Sequence, residues 1–410
     1  MESWRKNLQV IWIAQFLAMM GMSLVVPFLP FFIRELGVTD EVEVSRWSGL
    51  AFAGPFMVSL FMTPIWGWLG DRYGRKLMVV RAIFGLAISQ GLVGLSQNVE
   101  QLFMFRMVQG LVSGFIAAAL ALVSVTAPRE RTGYAIGILQ TATAAGTVLG
   151  PMIGGAMADV IGYRPIFFIV AALCLASGTL VVAKVDEIPT ESRPTESHSL
   201  LDNYRYSFAS TPLKAAFLLI MLSQIAIGMV QPIFALFVET MEVSKEYVST
   251  IAGVIFSTVG IFSTISSPWW GKRNDRKGYR RNLMVASAGG GLAYLLHAVA
   301  FTIYPLFVLR AILGLCIGGI IPPLYSFISK HAEPDRRGAI MGIASSFYIL
   351  ANVVGPISGG YIGAHFGLRV AFIASGTILF LVAASVSRSI HDEVPPAEKV
   401  AAPERTYVEI

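Results

Sequence analysis

The chain has 410 residues, of which 55% are hydrophobic and only 14% are charged, and its mean hydropathy is +0.66. A water-soluble protein of this length could not cover so much apolar surface with so few charges, which excludes most classes of soluble enzyme. The net charge of +6 reflects basic residues gathered on one side of a membrane, so nucleic-acid binding is excluded as well.

Apolar runs of roughly 20 residues recur along the chain, and each is long enough to cross a hydrocarbon layer of about 30 Å. We predict twelve membrane helices, at 8–33, 46–69, 77–97, 101–122, 134–158, 165–183, 212–238, 247–269, 282–302, 305–329, 338–363 and 369–387. Most of the 31 Lys and Arg residues lie in the segments that share a side with both termini, which predicts cytoplasmic termini.

The predicted helices form two groups of six, so we expect an all-α polytopic membrane protein made of two bundles. The expected parts are an N-terminal bundle at 1–184, a cytoplasmic linker at 185–211 rich in Ser, Thr, Glu and Pro, a C-terminal bundle at 212–390 and a disordered tail at 391–410.

The second group repeats the sequence signals of the first, shifted by about 204 positions. The matched segments are 64–67 with 268–271, 71–74 with 275–278, 106–110 with 310–314 and 150–155 with 355–360. Two similar bundles predict a pseudo-symmetric pair with a path between them, which is an architecture of transporters.

The loop after the second helix begins at Gly67 and reads GWLGDRYGRK. Gly74 can adopt a positive φ, and Asp71 can accept hydrogen bonds from a helix N-terminus. The basic residues expected at the cytoplasmic surface are Arg72, Arg75 and Lys76, and the second half carries a degenerate copy with Asp275 and Arg276. A simple anchoring turn would also explain these residues, but the spacing is more specific than that.

The fourth helix carries Arg106, with Gln109 one turn later and Arg310 at the equivalent place in the second half. An arginine within a membrane is costly unless it reaches the interface or finds a partner. Two interpretations therefore remain: a structural arginine that extends to the boundary, or an arginine that faces the bundle interior beside Gln109.

The fifth helix carries small residues about four positions apart, which let helices approach closely. A proline within this run cannot donate to the preceding turn, so a bend or hinge is expected there. The residues concerned are Gly146, Gly150, Pro151, Gly154 and Gly155, and a second copy on the eleventh helix includes Gly355 and Pro356. Close packing alone is the alternative interpretation.

The loop pattern G-x-L-x-D-R-x-G-R-K, with its degenerate copy, resembles the signature of the major facilitator superfamily, and the resemblance covers 5–390. It implies that this loop latches the two halves on the cytoplasmic side in an outward-facing state. It also implies a role for Arg106 in proton coupling. The Gly-Pro pattern of the fifth helix is similar to the antiporter motif of the 12-helix drug:proton antiporters, which importers generally lack. Ala18 stands where tetracycline exporters carry an aspartate, which disfavours a tetracycline-specific pump.

All 25 acidic residues lie in loops or at helix ends. The nearest candidates for proton exchange are Glu35, Asp159 and Glu239 at the outer helix ends, with Arg106 as a candidate partner, although each could be a solvated acid. Desolvation and a nearby cation would shift a carboxylate pKa in opposite directions. His297 on the ninth helix could titrate, but we interpret it as a hydrogen-bonded histidine at the lipid boundary.

We expect a central cavity between helices 1, 2, 4, 5, 7, 8, 10 and 11. Its candidate lining residues are Gln15, Met19, Met22, Phe56, Gln140, Gln224, Gln231, Phe256, Phe347, Tyr348 and Asn352. Few charges together with Met and Phe suit amphipathic molecules and disfavour sugars and phosphates. Any one of these residues could instead serve helix packing.

These patterns predict a secondary exporter of lipophilic or amphipathic compounds that works by proton antiport in the bacterial cytoplasmic membrane. Its expected partners are a small-molecule substrate, protons and membrane lipid, and we expect a monomer. The alternatives are an exporter of one physiological metabolite, such as a siderophore, and a proton-coupled importer. We expect no cofactor and no metal site, and the sequence lacks the G-x-x-x-x-G-K-[ST] loop that direct use of ATP would need.

Channels and enzymes are weaker predictions. A channel would need a filter sequence, and an enzyme within the membrane would need a cluster of acidic or nucleophilic residues at depth. We see neither pattern. A receptor that senses ligand without transporting it is a further alternative. The two cysteines, Cys174 and Cys316, are expected to serve helix packing.

Overall fold

A computed structural model describes residues 3–185 and 199–390. The α-helices in these residues are α1 Ser3–Leu24, α2 Leu29–Glu35, α3 Glu41–Tyr73, α4 Arg75–Leu95, α5 Val99–Leu111, α6 Phe115–Thr126, α7 Thr132–Ile161, α8 Tyr163–Lys184, α9 Leu200–Ala209, α10 Thr211–Val230, α11 Phe234–Glu239, α12 Val248–Lys277, α13 Tyr279–Ala298, α14 Ile303–Ile317, α15 Ile321–His331, α16 Arg337–Phe366 and α17 Leu368–Ser389.

Within the described residues, eleven helical stretches are long and apolar enough to cross a membrane, which confirms a multi-pass helical protein. The predicted span at 282–302 corresponds to α13, which is 20 residues long but is not among the eleven. Its polar start, with Arg280, Arg281 and Asn282, lowers its hydropathy. The count of twelve and the cytoplasmic position of the termini therefore stay predictions.

The predicted linker contains a helix that the sequence analysis missed. Helix α9 packs against α10 and α16, where Phe208 lies 6.5 Å from Phe217 and 6.2 Å from Phe347 between ring centroids. The remaining linker residues 186–198 and the predicted tail at 391–410 lie outside the described residues.

Four of the predicted helices are interrupted at equivalent places in the two halves. The interruptions separate α1 from α2, α5 from α6, α10 from α11 and α14 from α15. Pro30 lies in the first turn of α2, Pro232 lies in the turn before α11, and Gly114 precedes α6 with a φ of 102°. Discontinuous helices in matching positions are typical of the substrate path in transporters.

The duplication also appears in hydrogen bonds between equivalent helices. Gln15 Nε2 donates to Thr143 Oγ1 at 2.6 Å between α1 and α7. Gln224 Nε2 donates to Asn352 Oδ1 at 3.1 Å between α10 and α16. Each pair is separated by 128 residues, so the first and fifth predicted helices are joined in the same way as the seventh and eleventh.

An arginine in each half joins the ends of neighbouring helices on the predicted outer side. Arg164, in the first turn of α8, donates to two backbone carbonyls at the end of α4, and Arg369, in the first turn of α17, does the same beyond α13. The acceptors are Gly94 and Ser96 for Arg164, and Ala298 and Ala300 for Arg369. These bonds tie helices within one bundle.

Candidate transport path and gates

The two halves meet along a seam that four long helices form. In this seam α3 packs against α16, and α7 packs against α12. Helices α3 and α7 belong to the first half, whereas α12 and α16 belong to the second. Because each of these helices crosses the whole predicted membrane, the seam reaches from one side of the molecule to the other.

At its predicted outer end, the seam is closed by contact between backbones. A Cβ added to Gly253 of α12 would overlap the carbonyl oxygen of Pro151 of α7. A Cβ added to Gly49 of α3 would lie 2.5 Å from the carbonyl oxygen of Pro356 of α16. Real Cβ atoms do not approach so closely, so these helices can touch only because glycine lacks a side chain.

At its predicted cytoplasmic end, glycines of the same four helices make no such contact. Within the described part of the chain, a Cβ added to Gly67, Gly137, Gly271 or Gly342 would meet no atom of another segment within 4 Å. Tyr134, at the start of α7, is 64% exposed. The structure is therefore closed on the predicted outer side and open on the predicted cytoplasmic side.

A cavity of about 850 Å³ lies at this open end, between α1 and α7. It is lined by Trp4, Arg5, Leu8, Gln9, Trp12, Ile13, Arg131, Tyr134 and Ile138. None of these residues was among the predicted cavity residues. They lie at the predicted cytoplasmic ends of α1 and α7 and in the turn before α7.

The Gly-Pro motif of the fifth predicted helix has two faces, whereas the sequence suggested one. Gly146 and Gly150 pack against α1 in the same half, where an added Cβ on Gly146 would lie 2.7 Å from the Met19 Cβ. The Pro151 carbonyl and Gly155 instead meet α12 across the seam. The copy on α16 is arranged in the same way, with Gly355 against α10 and Pro356 against α3.

The remaining glycine of this motif on α7, Gly154, packs against α1 in its own half. An added Cβ on Gly154 would overlap the backbone of Leu24 in α1. The motif thus joins α7 to its own bundle and to the opposite one. It is a packing surface at the seam, and its function as a hinge stays a prediction.

Asp159, at the end of α7, caps a helix of the opposite half. Its Oδ1 accepts from the backbone N–H of Ser249 at 3.3 Å, and its Oδ2 accepts from the N–H of Thr250 at 2.7 Å and from the Thr250 hydroxyl at 2.6 Å. Ser249 and Thr250 lie in the first turn of α12, where N–H groups lack partners within the helix. This carboxylate therefore joins the halves on the predicted outer side.

A second ionic contact crosses between the halves at the same end. Arg34 Nη1 lies 2.8 Å from both carboxylate oxygens of Glu239, and its Nη2 lies 2.7 Å from Glu41. Burial lowers the pKa of Arg34, but the hydrogen bonds to Glu239 and Glu41 outweigh it, and the net pKa is raised. Glu35 is different, since its contact with Arg164 at 3.7 Å stays within the first half.

Arg106 is buried inside the first bundle, with 7% of its surface exposed. Its Nε donates to the carbonyl of Ala51 on α3 at 3.0 Å, and its Nη1 donates to Gln109 Oε1 at 2.9 Å. Of the two interpretations of Arg106 that the sequence left open, this arrangement matches the one in which the side chain faces the bundle interior beside Gln109. Both partners are neutral, and the three candidate acids make their contacts with other groups.

The loop between α3 and α4 contacts its own half in this structure. Gly74 has a φ of 103°, Arg75 Nη1 donates to the Ala121 carbonyl at 2.9 Å, and Lys76 Nζ donates to the Val182 carbonyl at 3.1 Å. The Arg72 guanidinium lies 5.7 Å from the centroid of the Trp68 ring. The side chain of Asp71 lies outside the described part of the structure.

The degenerate copy of this loop is likewise held within the second half. Asp275 Oδ1 lies 2.9 Å from Lys330 Nζ, and Arg276 is exposed. A latch between the halves through either loop stays a prediction for a state in which the cytoplasmic end is closed.

The predicted cavity residues do not lie together in one place. Gln15 and Met19 are buried between α1 and α7, and Gln224 with Asn352 joins α10 to α16. The Phe347 ring stacks on Phe217 at 5.5 Å. The surface of Met22 and Gln140 is exposed, and Phe56 and Tyr348 are half-buried.

Only Gln231 and Phe256 among the predicted residues line a second cavity of about 160 Å³. This cavity also contains Arg310 and Ser257, which the sequence analysis did not place in it. In the sequence, Gln231 and Pro232 could have indicated this cavity, because they interrupt a helix after α10 at a point equivalent to the interruption after α1.

His297 is fully buried, so the prediction of a histidine at the lipid boundary was wrong. Its Nδ1 lies 2.6 Å from the Ala293 carbonyl, and its ring stacks on Phe372 with centroids 5.6 Å apart. The helix α13 packs its histidine face against α17, which explains the burial.

Two helical bundles with interrupted helices and a seam that is closed at one end define a membrane transporter rather than an enzyme. The family model of the Major Facilitator Superfamily matches residues 11–251 and 216–408. The chain belongs to this superfamily.

Curated relatives match nearly the whole chain. Multidrug resistance protein MdtG of Proteus mirabilis is 33% identical, with 92% of this chain and 94% of that protein covered. MdtG of Citrobacter koseri is 34% identical, with 92% and 93% covered. These matches confirm the resemblance to the superfamily that the sequence indicated.

Solved structures share the fold at low sequence identity. A bacterial homolog of the human lysosomal transporter Spinster, inward-facing and unoccupied, is 16% identical with a TM-score of 0.76, covering 95% of this chain and 97% of that chain. The nucleoside transporter NupG is 13% identical with a TM-score of 0.78, covering 94% and 100%.

Proposed function

We propose that this chain exports lipophilic or amphipathic compounds by proton antiport, through alternating access, in the cytoplasmic membrane of a bacterium. The relatives named for multidrug resistance cover 92% of the chain. The Gly-Pro pattern similar to that of antiporters occurs in both halves. The open cavity of about 850 Å³ combines tryptophans with aliphatic side chains, which suits an amphipathic compound taken up from the cytoplasmic side.

The observation that carries the proposal is the position of both Gly-Pro motifs at the seam. The carbonyls of Pro151 and Pro356 touch Gly253 and Gly49 of the opposite half. Alternating access requires these contacts to separate when the outer end opens. Backbone contacts between glycine and proline leave no interdigitated side chains to extract, so they can break and re-form as the halves rock.

Proton coupling is proposed at the acids that join the halves on the outer side. Protonation of Asp159 would remove the negative charge from the α12 N-terminus, and protonation of Glu239 would remove one of the two ionic partners of Arg34. Both changes weaken the closed outer end. The closed outer end would therefore re-form only after these acids lose their protons, and antiport results when that loss is to the cytoplasm.

The test is reconstitution in liposomes that contain a pH-sensitive dye, with an imposed pH gradient and a panel of cationic, neutral and anionic amphipathic compounds. The expected result is a proton flux that depends on the added compound. Absence of flux across the panel, together with uptake of a nutrient, would replace export with import. Flux with a single metabolite only would favour a dedicated exporter.

Arg106→Gln addresses coupling in the same assay. The shorter amide cannot reach both Ala51 and Gln109, and it carries no charge. We expect the compound-dependent proton flux to fall at least about tenfold, while the variant keeps its helical circular dichroism and its monodisperse elution. An unchanged flux would reduce Arg106 to a structural residue.

A further inference from the structure

Arg81 of α4 lies beside the interruption of the fourth predicted membrane helix. Its Nη2 donates to the carbonyl of Ser113 at 2.8 Å, in the turn between α5 and α6. The guanidinium lies 3.6 Å from the centroid of the Trp66 ring. Its Nε and Nη1 are buried and make no hydrogen bond within the described part of the chain. These N–H groups of a cation thus have no acceptor there, which is costly in a membrane.

The internal repeat shows that the interrupted helix does not need this arginine. Trp66 and Trp270 occupy equivalent places in the two halves, and each donates from Nε1 to a carbonyl in the last turn before the interruption, at 2.8 Å and 2.7 Å. Val285 stands in the second half where Arg81 stands in the first. Because a junction of the same kind forms without the cation, binding of a ligand is a better reason for Arg81 than folding.

A cavity of about 230 Å³ lies beside Arg81, between α3, α4 and α6. Arg75 also lines it, and none of the described lining residues is acidic, so the cavity is positively charged. The cavity is smaller than the roughly 300–1,000 Å³ of sites that enclose drug-sized ligands. It therefore suits a small anionic group rather than a whole exported compound. Its wall on α6 consists of the small residues Gly114, Ala117, Ala118 and Ala121.

The cavity lies at the depth of lipid head groups on the predicted cytoplasmic side. Helix α3 has 33 residues, so it extends about 50 Å and its ends pass beyond a hydrocarbon layer of about 30 Å. Gly67 and Gly70, which line the cavity, lie in its last two turns. The exposed side chains of Ile65, Trp68 and Tyr73 lie on the same stretch, and exposed aromatic residues are typical of the membrane interface. A head group can thus reach the cavity while its acyl chains stay in the membrane.

We propose that this cavity binds the phosphate group of an anionic phospholipid of the cytoplasmic leaflet, such as phosphatidylglycerol. The free Nε and Nη1 of Arg81 do not present a parallel pair of N–H groups, because the Cδ atom lies between them. They therefore suit single hydrogen bonds to different phosphate oxygens, and they match the two oxygens of a carboxylate less well. The lipid is a bound component and not an exported compound, so the inference does not depend on the proposed function.

The test compares dioctanoyl phosphatidylglycerol with dioctanoylglycerol, which has the same acyl chains but no phosphate. Each is titrated onto the full chain in an uncharged detergent, and native mass spectrometry counts the lipids bound per chain. We expect the first phosphatidylglycerol to bind at least about tenfold more tightly than dioctanoylglycerol, because the neutral lipid cannot make charge-assisted hydrogen bonds.

Arg81→Val introduces the residue that the second half has at the equivalent place. It should lower the affinity for phosphatidylglycerol at least about tenfold, to that of the neutral lipid. Arg388→Val is the matched control, because it removes an exposed cation from the last turn of α17 on the same predicted side. This control should keep the affinity of the unmodified chain.

Ala117→Leu is a second variant, which fills the cavity and keeps both arginines. Ala117 lines the cavity and is exposed, so the larger side chain can be accommodated without overpacking the bundle. We expect the affinity for phosphatidylglycerol to fall although the charge is unchanged. Helical circular dichroism and the melting temperature without lipid show whether each variant is folded, and Ala117→Leu decides the question if Arg81→Val does not fold.

Equal binding of the two lipids, or an affinity that survives Arg81→Val, would overturn the proposal. Equal losses in Arg81→Val and Arg388→Val would also overturn it, because the basic surface and not the cavity would then attract the lipid. Glycerophosphoglycerol, the soluble head group without acyl chains, distinguishes the source of the phosphate. If it or inorganic phosphate competes as strongly as the lipid itself, the site takes free phosphate and the proposed lipid site is wrong.

Discussion

The outer and cytoplasmic ends of the seam are built from the same four helices and from similar residues, yet they are in opposite states. At the outer end, glycines of one half touch the backbone of the other, and two acids join the halves. At the cytoplasmic end, glycines of the same helices have no contact with another described segment, and the contacts described for the basic loops stay within their own halves. Whether an end is closed or open therefore depends on the contacts that its glycines and acids make, and not on its amino-acid composition.

The largest effect should come from filling a glycine at the closed end. In Gly253→Ala the new methyl would overlap the Pro151 carbonyl, so α7 and α12 would have to move apart. We expect compound-dependent proton flux to fall more than about tenfold, because overpacking of this kind typically costs about 1–3 kcal/mol. The same flux assay in proteoliposomes measures it.

Gly271→Ala is the control for this prediction. It lies on the same helix, and within the described part of the chain its methyl would meet no atom of another segment within 4 Å. Its flux should stay within about twofold of the unmodified chain, since alanine is also the better helix former. Equal losses in the two variants would mean that the two ends of the seam do not differ as the structure indicates.

A smaller effect is expected from the carboxylate that caps α12. Asp159→Ala removes the acceptors of the Ser249 and Thr250 N–H groups, and loss of a helix cap costs about 1 kcal/mol. This should increase the ratio of outward-facing to inward-facing molecules about fivefold, measured by distances between spin labels on the outer ends of α7 and α12.

Glu333→Ala is the matched change at the cytoplasmic end. Glu333 pairs with Arg336 inside the second half, so the distance distribution should not change. Asp159→Asn keeps one acceptor for the α12 N–H groups but removes the negative charge, so its shift in the spin-label populations should be smaller than that of Asp159→Ala.

The smallest effect should follow from Glu239→Gln, which removes one ionic partner of Arg34 across the seam. The two side chains are 28% and 31% exposed, and ion pairs near a surface contribute about 0.2–1 kcal/mol. We expect less than about a fivefold shift in the spin-label populations, and the shift should disappear at high salt. Glu43→Gln, which breaks a pair with Arg46 on one helix, should leave the populations unchanged at any salt concentration.

Much of the fold could be predicted from the sequence, because apolar length and the internal repeat each act over long segments. The helical interruptions were missed although Pro30, Pro232 and Gly114 were visible, because a hydropathy average continues across one or two residues. The position of Arg106 beside Gln109 followed from helix spacing. The sequence could not indicate that Asp159 caps a helix of the opposite half, since that contact depends on how the bundles dock.

The cavity was the least predictable part of the site. Side chains such as Gln15 and Gln224 suggested a polar path, but they lie between helices of one bundle, because an amide in a membrane is satisfied by the nearest hydroxyl or amide. Arg310 was seen only as the copy of Arg106. Within the described residues, the two arginines differ in two ways: Leu313 stands in the place of Gln109, and the Nε of Arg310 has no carbonyl acceptor such as Ala51 provides for Arg106. The guanidinium of Arg310 instead lies 3.5 Å from the centroid of the Phe234 ring, a contact that depends on tertiary packing.

The carbonyl contacts of Arg164 and Arg369 have a mechanical consequence. Each guanidinium joins two neighbouring helices of one bundle at their ends. Structural change during transport would then be concentrated between the two bundles and not within them. A ligand or antibody fragment that binds both bundles should stop the transport cycle, whereas one that binds a single bundle should move with it.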